Sequence, residues 1–123
     1  MRYLTDRKRA VGKGASHTGT QAHWSMTMSA VALAFLVPVW MVIFGTSLGQ
    51  DHATVVATFG RPFPAIVTGL LLVVGMRHFA GGATMMIEDY LRGTARKMAI
   101  IGVVCLSWVT AATGLFALVK IAL

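Results

Sequence analysis

Charge is nearly absent from three long apolar segments, and this feature constrains the fold of the chain more than any other. The segments cover about residues 25–48, 64–87 and 98–120; Arg77 interrupts the second, and Lys120 ends the third. Each segment is long enough to cross the hydrocarbon core of a bilayer as a helix. A helix also satisfies its own backbone hydrogen bonds, which lipid requires. The sequence therefore predicts an all-α integral membrane protein with three transmembrane helices.

The overall composition excludes an ordinary water-soluble domain. Of 123 residues, 56% are hydrophobic and 12% are charged, about half of the usual charged fraction. This small number of polar residues cannot cover the surface of a globular domain, and lipid must therefore cover part of the chain. The parts outside the apolar segments are too short for a second domain. We expect a basic N-terminal arm over residues 1–24 and a three-helix transmembrane domain over residues 25–123.

The distribution of basic residues predicts the orientation in the membrane. The net charge is +7, but the cations border apolar segments without interleaved aromatic residues, which argues against nucleic-acid binding. Five basic residues lie in the arm and three in the 88–97 loop, against Arg61 and Lys120 on the other side. Because positive charge accumulates in cytoplasmic loops, we expect a cytoplasmic N-terminus and a periplasmic C-terminus.

Two adjacent ionisable residues, Arg77 and His78, lie inside the second apolar segment. Such residues are costly in lipid and commonly mark functional sites. His78 lies about 14 Å from the cytoplasmic end of this span, where a neutral imidazole can ligate a metal or haem iron. A hydrogen bond from a neighbouring helix is the alternative. Arg77 needs an anionic partner, either a haem propionate or a carboxylate on a partner subunit.

Small and polar residues accompany His78 along the same helix. Gly75 and Gly82 stand three residues before and four residues after His78, so they lie on its face. The recess that they leave suits a porphyrin, with Gly82 packing on the haem, or helix packing alone. Asp89 lies three turns along the same face and precedes Tyr90. A solvated helix end with an interfacial tyrosine explains these two residues equally well.

The second apolar segment and its end carry a recognisable pattern. It consists of a histidine, a glycine four residues later, and an Asp-Tyr pair eleven and twelve residues after the histidine. The matching runs are Arg77-His78-Phe79-Ala80-Gly81-Gly82 and Met86-Ile87-Glu88-Asp89-Tyr90-Leu91-Arg92. They resemble the second helix of the succinate dehydrogenase hydrophobic membrane anchor subunit, the smaller D-type anchor of bacterial respiratory complex II. Three spans, a basic N-terminus and similar length extend the resemblance over essentially the whole chain.

The resemblance implies roles for individual residues. His78 becomes an axial ligand of haem b, whose second axial histidine comes from a partner cytochrome b subunit. Tyr90 donates to a carbonyl oxygen of ubiquinone, and Asp89 is its polar neighbour, where the iron–sulfur subunit meets the anchors. The implied complex also contains a flavoprotein that oxidises succinate in the tricarboxylic acid cycle, so this chain performs no catalysis alone. The implied location is the bacterial inner membrane.

One position departs from the family pattern. Family members commonly carry an arginine early in the first helix, and Thr27 stands near that position here. A contact to quinone or propionate through that arginine is therefore in doubt, and we expect Arg77 to compensate. Two other interpretations stay open: a fumarate reductase anchor that uses menaquinone, and a small haem-free transporter or assembly subunit. In the transporter, Arg77 and Asp89 would line a polar path.

Overall fold

The computed structural model describes residues 3–12, 14 and 19–123. Its helices are α1 (Asp6–Val11), α2 (Gly19–Ser47), α3 (His52–Phe59), α4 (Pro62–Tyr90) and α5 (Gly93–Ala122). Helices α2, α4 and α5 are long and apolar enough to cross a membrane. The described residues contain no strand. The predicted all-helical fold with three membrane-spanning helices is confirmed.

Local sequence signals explain where the helices begin and end. Asp51 caps α3, because its Oδ2 accepts the Thr54 backbone N–H at 3.3 Å. The Thr54 hydroxyl also donates to this carboxylate, and together these bonds lower the pKa of Asp51. Pro62 begins α4, at a position where the missing N–H costs no helical bond. Gly49 and Gly93 have positive φ values of 77° and 62°, which glycine adopts without strain.

The helices extend beyond the predicted spans. Helix α2 begins at Gly19, so the end of the predicted arm at residues 1–24 is helical. The predicted connection at residues 49–63 contains α3, and the predicted 88–97 loop shrinks to two residues between α4 and α5. Hydropathy locates the part of a helix that suits lipid, whereas capping residues decide where the helix stops. The division into residues 1–24 and 25–123 remains a prediction.

Helix α4 is the central helix, and α2 packs antiparallel to it. Met26 lies against Gly82, near the C-terminal end of α4. Leu33, further along α2, lies against Gly75, which precedes Gly82. Residue numbers therefore increase along α2 in the direction in which they decrease along α4. This packing brings the N-terminus of α2 and the C-terminus of α4 to the same end of the protein.

Helix α5 packs antiparallel on another face of α4. Leu72 contacts the backbone at Gly114, and the side chain of Leu118 approaches Gly69. Within residues 19–123, α2 and α5 make no close backbone contact with each other. The three long helices therefore form a layer with α4 in the middle, and α3 packs at the end opposite Tyr90, where Gly60 meets the Ile121 carbonyl.

The long helices bury few side chains among themselves. The buried residues of the described chain are Ser47, Val67, Ile87, Ser107 and Ala111. Large apolar side chains such as Phe35 and Phe116, each 72% exposed, cover the outside. An apolar exterior of this extent is stable only against lipid or partner helices.

Candidate functional site

His78 lies near the middle of α4, half-buried, and faces α2. Its Nδ1 atom is 2.9 Å from Ser29 Oγ, and the two groups form a hydrogen bond between the helices. The Ser29 hydroxyl also lies 2.9 Å from the Met26 carbonyl oxygen, to which it donates. One ring nitrogen of His78 is thus held by α2. The other nitrogen, Nε2, has no hydrogen-bond partner among the described residues.

Arg77 is also held by α2, although its side chain is exposed. Its guanidinium donates to Ser25 Oγ. Ser25 and Ser29 are four residues apart, one turn of a helix, so they lie on the same face of α2. The neighbouring pair on α4 therefore meets a matching serine pair on α2. No carboxylate forms an ion pair with Arg77 within the described ranges, so its charge has only a neutral hydroxyl partner there.

A cavity of about 650 Å³ lies over α4, between α2 and α5. Its polar lining comprises Gln21, Ser25, Ser29, Arg77, Thr84, Glu88 and Ser107. Apolar contacts come from side chains such as Met76 and Trp108. Arg77 is therefore the predicted site residue that faces this cavity, whereas His78, Gly82, Asp89 and Tyr90 do not line it.

The glycines near His78 lie where α2 approaches α4 closely. A methyl group at Gly82 would stand 3.2 Å from Met26 Cε, and one at Gly81 would stand 3.3 Å from Met26 Sδ. A methyl group at Gly75 would stand 3.9 Å from the side chain of Leu33. Helix packing against Met26 therefore accounts for the glycines at positions 81 and 82, whereas a methyl group at Gly75 would make an ordinary van der Waals contact. A haem contact of Gly82 remains a prediction.

Asp89 and Tyr90 lie at the end of α4 and are exposed. The Tyr90 residue is 82% exposed, so its ring is open to a partner subunit or a ligand. Twelve residues of regular helix separate it from His78 by about 18 Å. The structure thus joins His78 and Arg77 to α2, while it leaves the Asp-Tyr pair as a separate surface.

The model of the succinate dehydrogenase/fumarate reductase transmembrane subunit family matches residues 1–119. The chain belongs to this family. A succinate dehydrogenase hydrophobic membrane anchor subunit from Paracoccus denitrificans is 47% identical over 123 residues, which cover all of this chain and 95% of the relative. No solved structure matches the chain significantly.

Family membership and the three long helices confirm the predicted resemblance and the predicted location. The chain is a multi-pass protein of the inner membrane. Which end of the bundle faces the cytoplasm remains a prediction from the positive-inside rule. The end that carries Arg92, Arg96 and Lys97 also carries the N-terminus of α2, so the helix packing is compatible with that prediction.

Thr27, the position that departs from the family pattern, faces away from the paired residues. It is exposed, and its hydroxyl donates to the His23 carbonyl of its own helix at 3.0 Å. It therefore makes no hydrogen bond to α4 in the described structure. The cation nearest to the predicted haem ligand in sequence is Arg77, which this geometry leaves as the candidate for the missing contact.

Sequence reasoning missed Ser25, Ser29 and Glu88. The serines carried a usable signal, because two hydroxyls one turn apart in an uncharged helix mark a polar stripe that needs a partner. Glu88 falls within the predicted 88–97 loop, yet it is in α4 and lines the cavity. Its position in the last turn of α4 would have predicted that it shares a face with Arg77, since eleven residues are close to three turns.

Proposed function

We propose that the chain is a membrane anchor subunit of succinate dehydrogenase. The observation that carries this proposal is 47% identity to such a subunit over the full length of the chain. The three-helix architecture and the exposed apolar exterior support it, because a subunit of this shape must pack against lipid and other membrane helices. Its partners are a flavoprotein, an iron–sulfur subunit and a cytochrome b anchor subunit.

His78 is the proposed axial ligand of haem b. An imidazole with one nitrogen held by Ser29 and the other without a hydrogen-bond partner among the described residues has the donor chemistry of a haem ligand. The described residues contain no cluster of three or more His, Cys, Asp or Glu side chains. His78 would therefore hold the haem together with a second histidine, which the partner cytochrome b subunit would supply. A haem held there would supply storage and transfer of single electrons.

Arg77 is the proposed contact to a haem propionate. Its guanidinium is in the middle of α4, and its described partner is a neutral serine hydroxyl. A guanidinium at this depth is strongly stabilised by an anion. The adjoining cavity gives such an anionic group room to reach it from the side between α2 and α5. A carboxylate from a partner subunit is the alternative anion.

Tyr90 and Asp89 are the proposed contribution to the ubiquinone site. The exposed Tyr90 hydroxyl can donate to a quinone carbonyl oxygen, and this bond strengthens as the oxygen gains negative charge. Its ring stays in the apolar interface. Asp89, its neighbour, supplies negative charge at the same helix end and keeps that surface polar.

A fumarate reductase anchor that uses menaquinone is the nearest alternative, since the matching family includes fumarate reductase subunits. The succinate dehydrogenase relative favours the first assignment. Family membership also favours an anchor over a haem-free transporter or assembly subunit. The reaction direction follows from the potentials of the partner subunits, which are not encoded in this chain.

The test is isolation of the complex through this subunit, followed by mass identification of its chains and a reduced-minus-oxidised optical spectrum. We expect a flavoprotein, an iron–sulfur subunit, a second anchor and a b-type haem. His78→Ala should remove the b-type signal while the complex still assembles. His52→Ala is the matched control, because His52 is exposed in α3 and far from α4's centre.

Two results would contradict the assignment. Absence of the flavoprotein and the iron–sulfur subunit from the isolated material would exclude the anchor function. Normal bis-histidine absorption in the His78→Ala complex would leave the anchor function intact but remove His78 as the ligand.

A further inference from the structure

We propose that Ser29 is a positioning residue for His78: it holds the proton of the imidazole on Nδ1 and leaves the lone pair on Nε2. This inference rests on the proposed role of His78 as a haem ligand and deepens it. The observation behind it is a pair of contacts made by one hydroxyl group. Ser29 Oγ lies 2.9 Å from His78 Nδ1 and 2.9 Å from the Met26 carbonyl oxygen.

The number of protons determines the direction of both bonds. A serine hydroxyl has one proton to donate and two lone pairs that accept. The Met26 carbonyl oxygen can only accept, so the Ser29 proton must lie between the two oxygens. If that proton pointed at His78 instead, lone pairs of the two oxygens would face each other at 2.9 Å without a proton between them. Ser29 Oγ is therefore the acceptor, and His78 Nδ1–H is the donor.

The packing of α2 against α4 keeps Ser29 next to His78. Ser29 is one turn from Ser25 on the face of α2 that meets α4. Gly81 and Gly82 lie where α2 approaches α4 closely beside this contact, since a methyl group at either would stand 3.2–3.3 Å from Met26. A short side chain such as serine can reach the imidazole only across such a close approach. The glycines thus permit the short distance between the helices, and Ser29 sets the tautomer.

A fixed Nδ1–H tautomer affects His78 as a ligand in two ways. It presents Nε2 to iron without a competing proton, so no energy is spent on a tautomer change when the ligand binds. An acceptor on Nδ1–H also makes the imidazole a stronger electron donor. Electron donation favours the ferric state, so removal of the acceptor should raise the reduction potential of the haem.

The experiment uses the purified complex with Ser29→Ala and with Ser29→Thr. Haem release to excess apomyoglobin and the haem reduction potential are measured for each. We expect Ser29→Ala to release haem about 10- to 100-fold faster, the usual range for loss of a partner to a ligating histidine, and to raise the potential. Ser29→Thr keeps the hydroxyl and should restore both values toward those of the unaltered complex.

Ser47→Ala is the matched control. Ser47 is in the same helix and donates to the Ile43 carbonyl at 2.9 Å, so its loss removes an equivalent hydroxyl-to-backbone bond far from His78. If Ser29→Ala prevents assembly, Ser29→Cys keeps a slightly larger polar side chain of the same connectivity with a much weaker acceptor, and the same shifts are expected. Haem release and potential equal to those of Ser47→Ala would overturn the proposal.

His78→Ala separates the two levels of the argument. If that variant keeps normal haem absorption, the ligand assignment fails, whatever Ser29→Ala does. If it loses the haem while the Ser29 variants behave like the control, His78 remains the ligand and only the positioning role of Ser29 is wrong.

Discussion

The two faces of α4 that pack against other long helices are built differently. The face toward α2 carries hydrogen bonds from Arg77 to Ser25 and between His78 and Ser29. The face toward α5 is apolar at its closest contact, where Leu72 Cδ1 would stand 2.7 Å from a methyl group at Gly114. Both interfaces are antiparallel and both use glycines.

This difference reflects what each interface can gain in lipid. Apolar side chains gain little by moving from lipid to a protein surface, so an apolar interface depends on close fit. The α4–α5 interface achieves that fit with Leu72 against Gly114. The α2–α4 interface adds hydrogen bonds made by Arg77 and His78, and these two residues are also the candidates for binding haem. We infer that α5 stabilises the position of α4, while α2 determines the chemistry presented by α4.

The largest expected effect is disruption of the apolar interface. Gly114→Leu places a branched side chain where even a methyl group would contact Leu72, so α4 and α5 must separate. Overpacking of this kind costs about 1–3 kcal/mol or more, and we expect the yield of assembled complex to fall severely. The measurement is the yield and thermal stability of the complex after detergent extraction.

Two further variants make the Gly114 prediction specific. Gly102→Leu adds the same side chain to α5 where a methyl group would meet nothing within 4 Å, so assembly should persist. Leu72→Ala combined with Gly114→Leu should recover part of the lost yield. If Gly102→Leu is as harmful as Gly114→Leu, then fit at this interface is not what holds α5 to α4.

A smaller effect is expected from the polar interface. Arg77→Gln removes the charge proposed to meet a propionate, while α4 keeps its packing against α5. A hydrogen bond to a charged group contributes about 1.5–3 kcal/mol, so haem affinity should fall about 10- to 100-fold. The measurement is haem content per flavin in the purified complex, and an unchanged ratio would rule out the propionate contact.

Ser25→Ala is the comparison for Arg77→Gln. It removes the serine that accepts from the guanidinium but leaves the charge in place. We expect a clearly smaller loss of haem than in Arg77→Gln. Equal losses would mean that Arg77 acts only by joining α4 to α2, without an anionic partner.

The fold could be predicted because charge exclusion from lipid acts on every residue of a span. Three long apolar segments with almost no charge left few alternatives, and the structure has helices at all three. Helix ends were less predictable. Asp51 caps α3 through Thr54, and no hydropathy pattern distinguishes that short helix from a loop.

Of the candidate site, only the residues on α4 could be predicted from the sequence, and their partners on α2 could not. Arg77 and His78 stood out because ionisable residues are rare in lipid. Their partners Ser25 and Ser29 did not, because the register between two helices depends on side-chain fit across the contact. In the observed register, Met26 lies against Gly82. A glycine recess also looks the same in sequence whether a porphyrin or a methionine fills it.

Tyr90 belongs to neither interface, and a variant at this position tests whether the end of α4 takes part in quinone reduction. Tyr90→Phe removes one hydroxyl from an exposed ring and leaves both helix contacts intact. Because a hydrogen bond contributes about 0.5–1.5 kcal/mol, we expect quinone reduction to slow about 2- to 10-fold while the haem spectrum stays the same. Tyr3→Phe, which removes the hydroxyl of another exposed tyrosine, is the control. Equal quinone turnover in the two variants would exclude the Tyr90 hydroxyl.

The smallest expected effect compares the glycines of the two interfaces directly. A methyl group at Gly82 would stand 3.2 Å from Met26 Cε, the end of a flexible side chain, whereas one at Gly114 would meet three atoms of Leu72, including Cγ at 3.6 Å. Met26 can rotate away, and alanine favours a helix over glycine.

Gly82→Ala should therefore change the free energy of unfolding by less than about 1 kcal/mol, and Gly114→Ala should destabilise the protein more. Thermal unfolding of both variants measures this difference. Equal destabilisation would mean that α2 is fitted to α4 as tightly as α5 is, and a shifted haem spectrum in Gly82→Ala would indicate that the porphyrin also rests on Gly82.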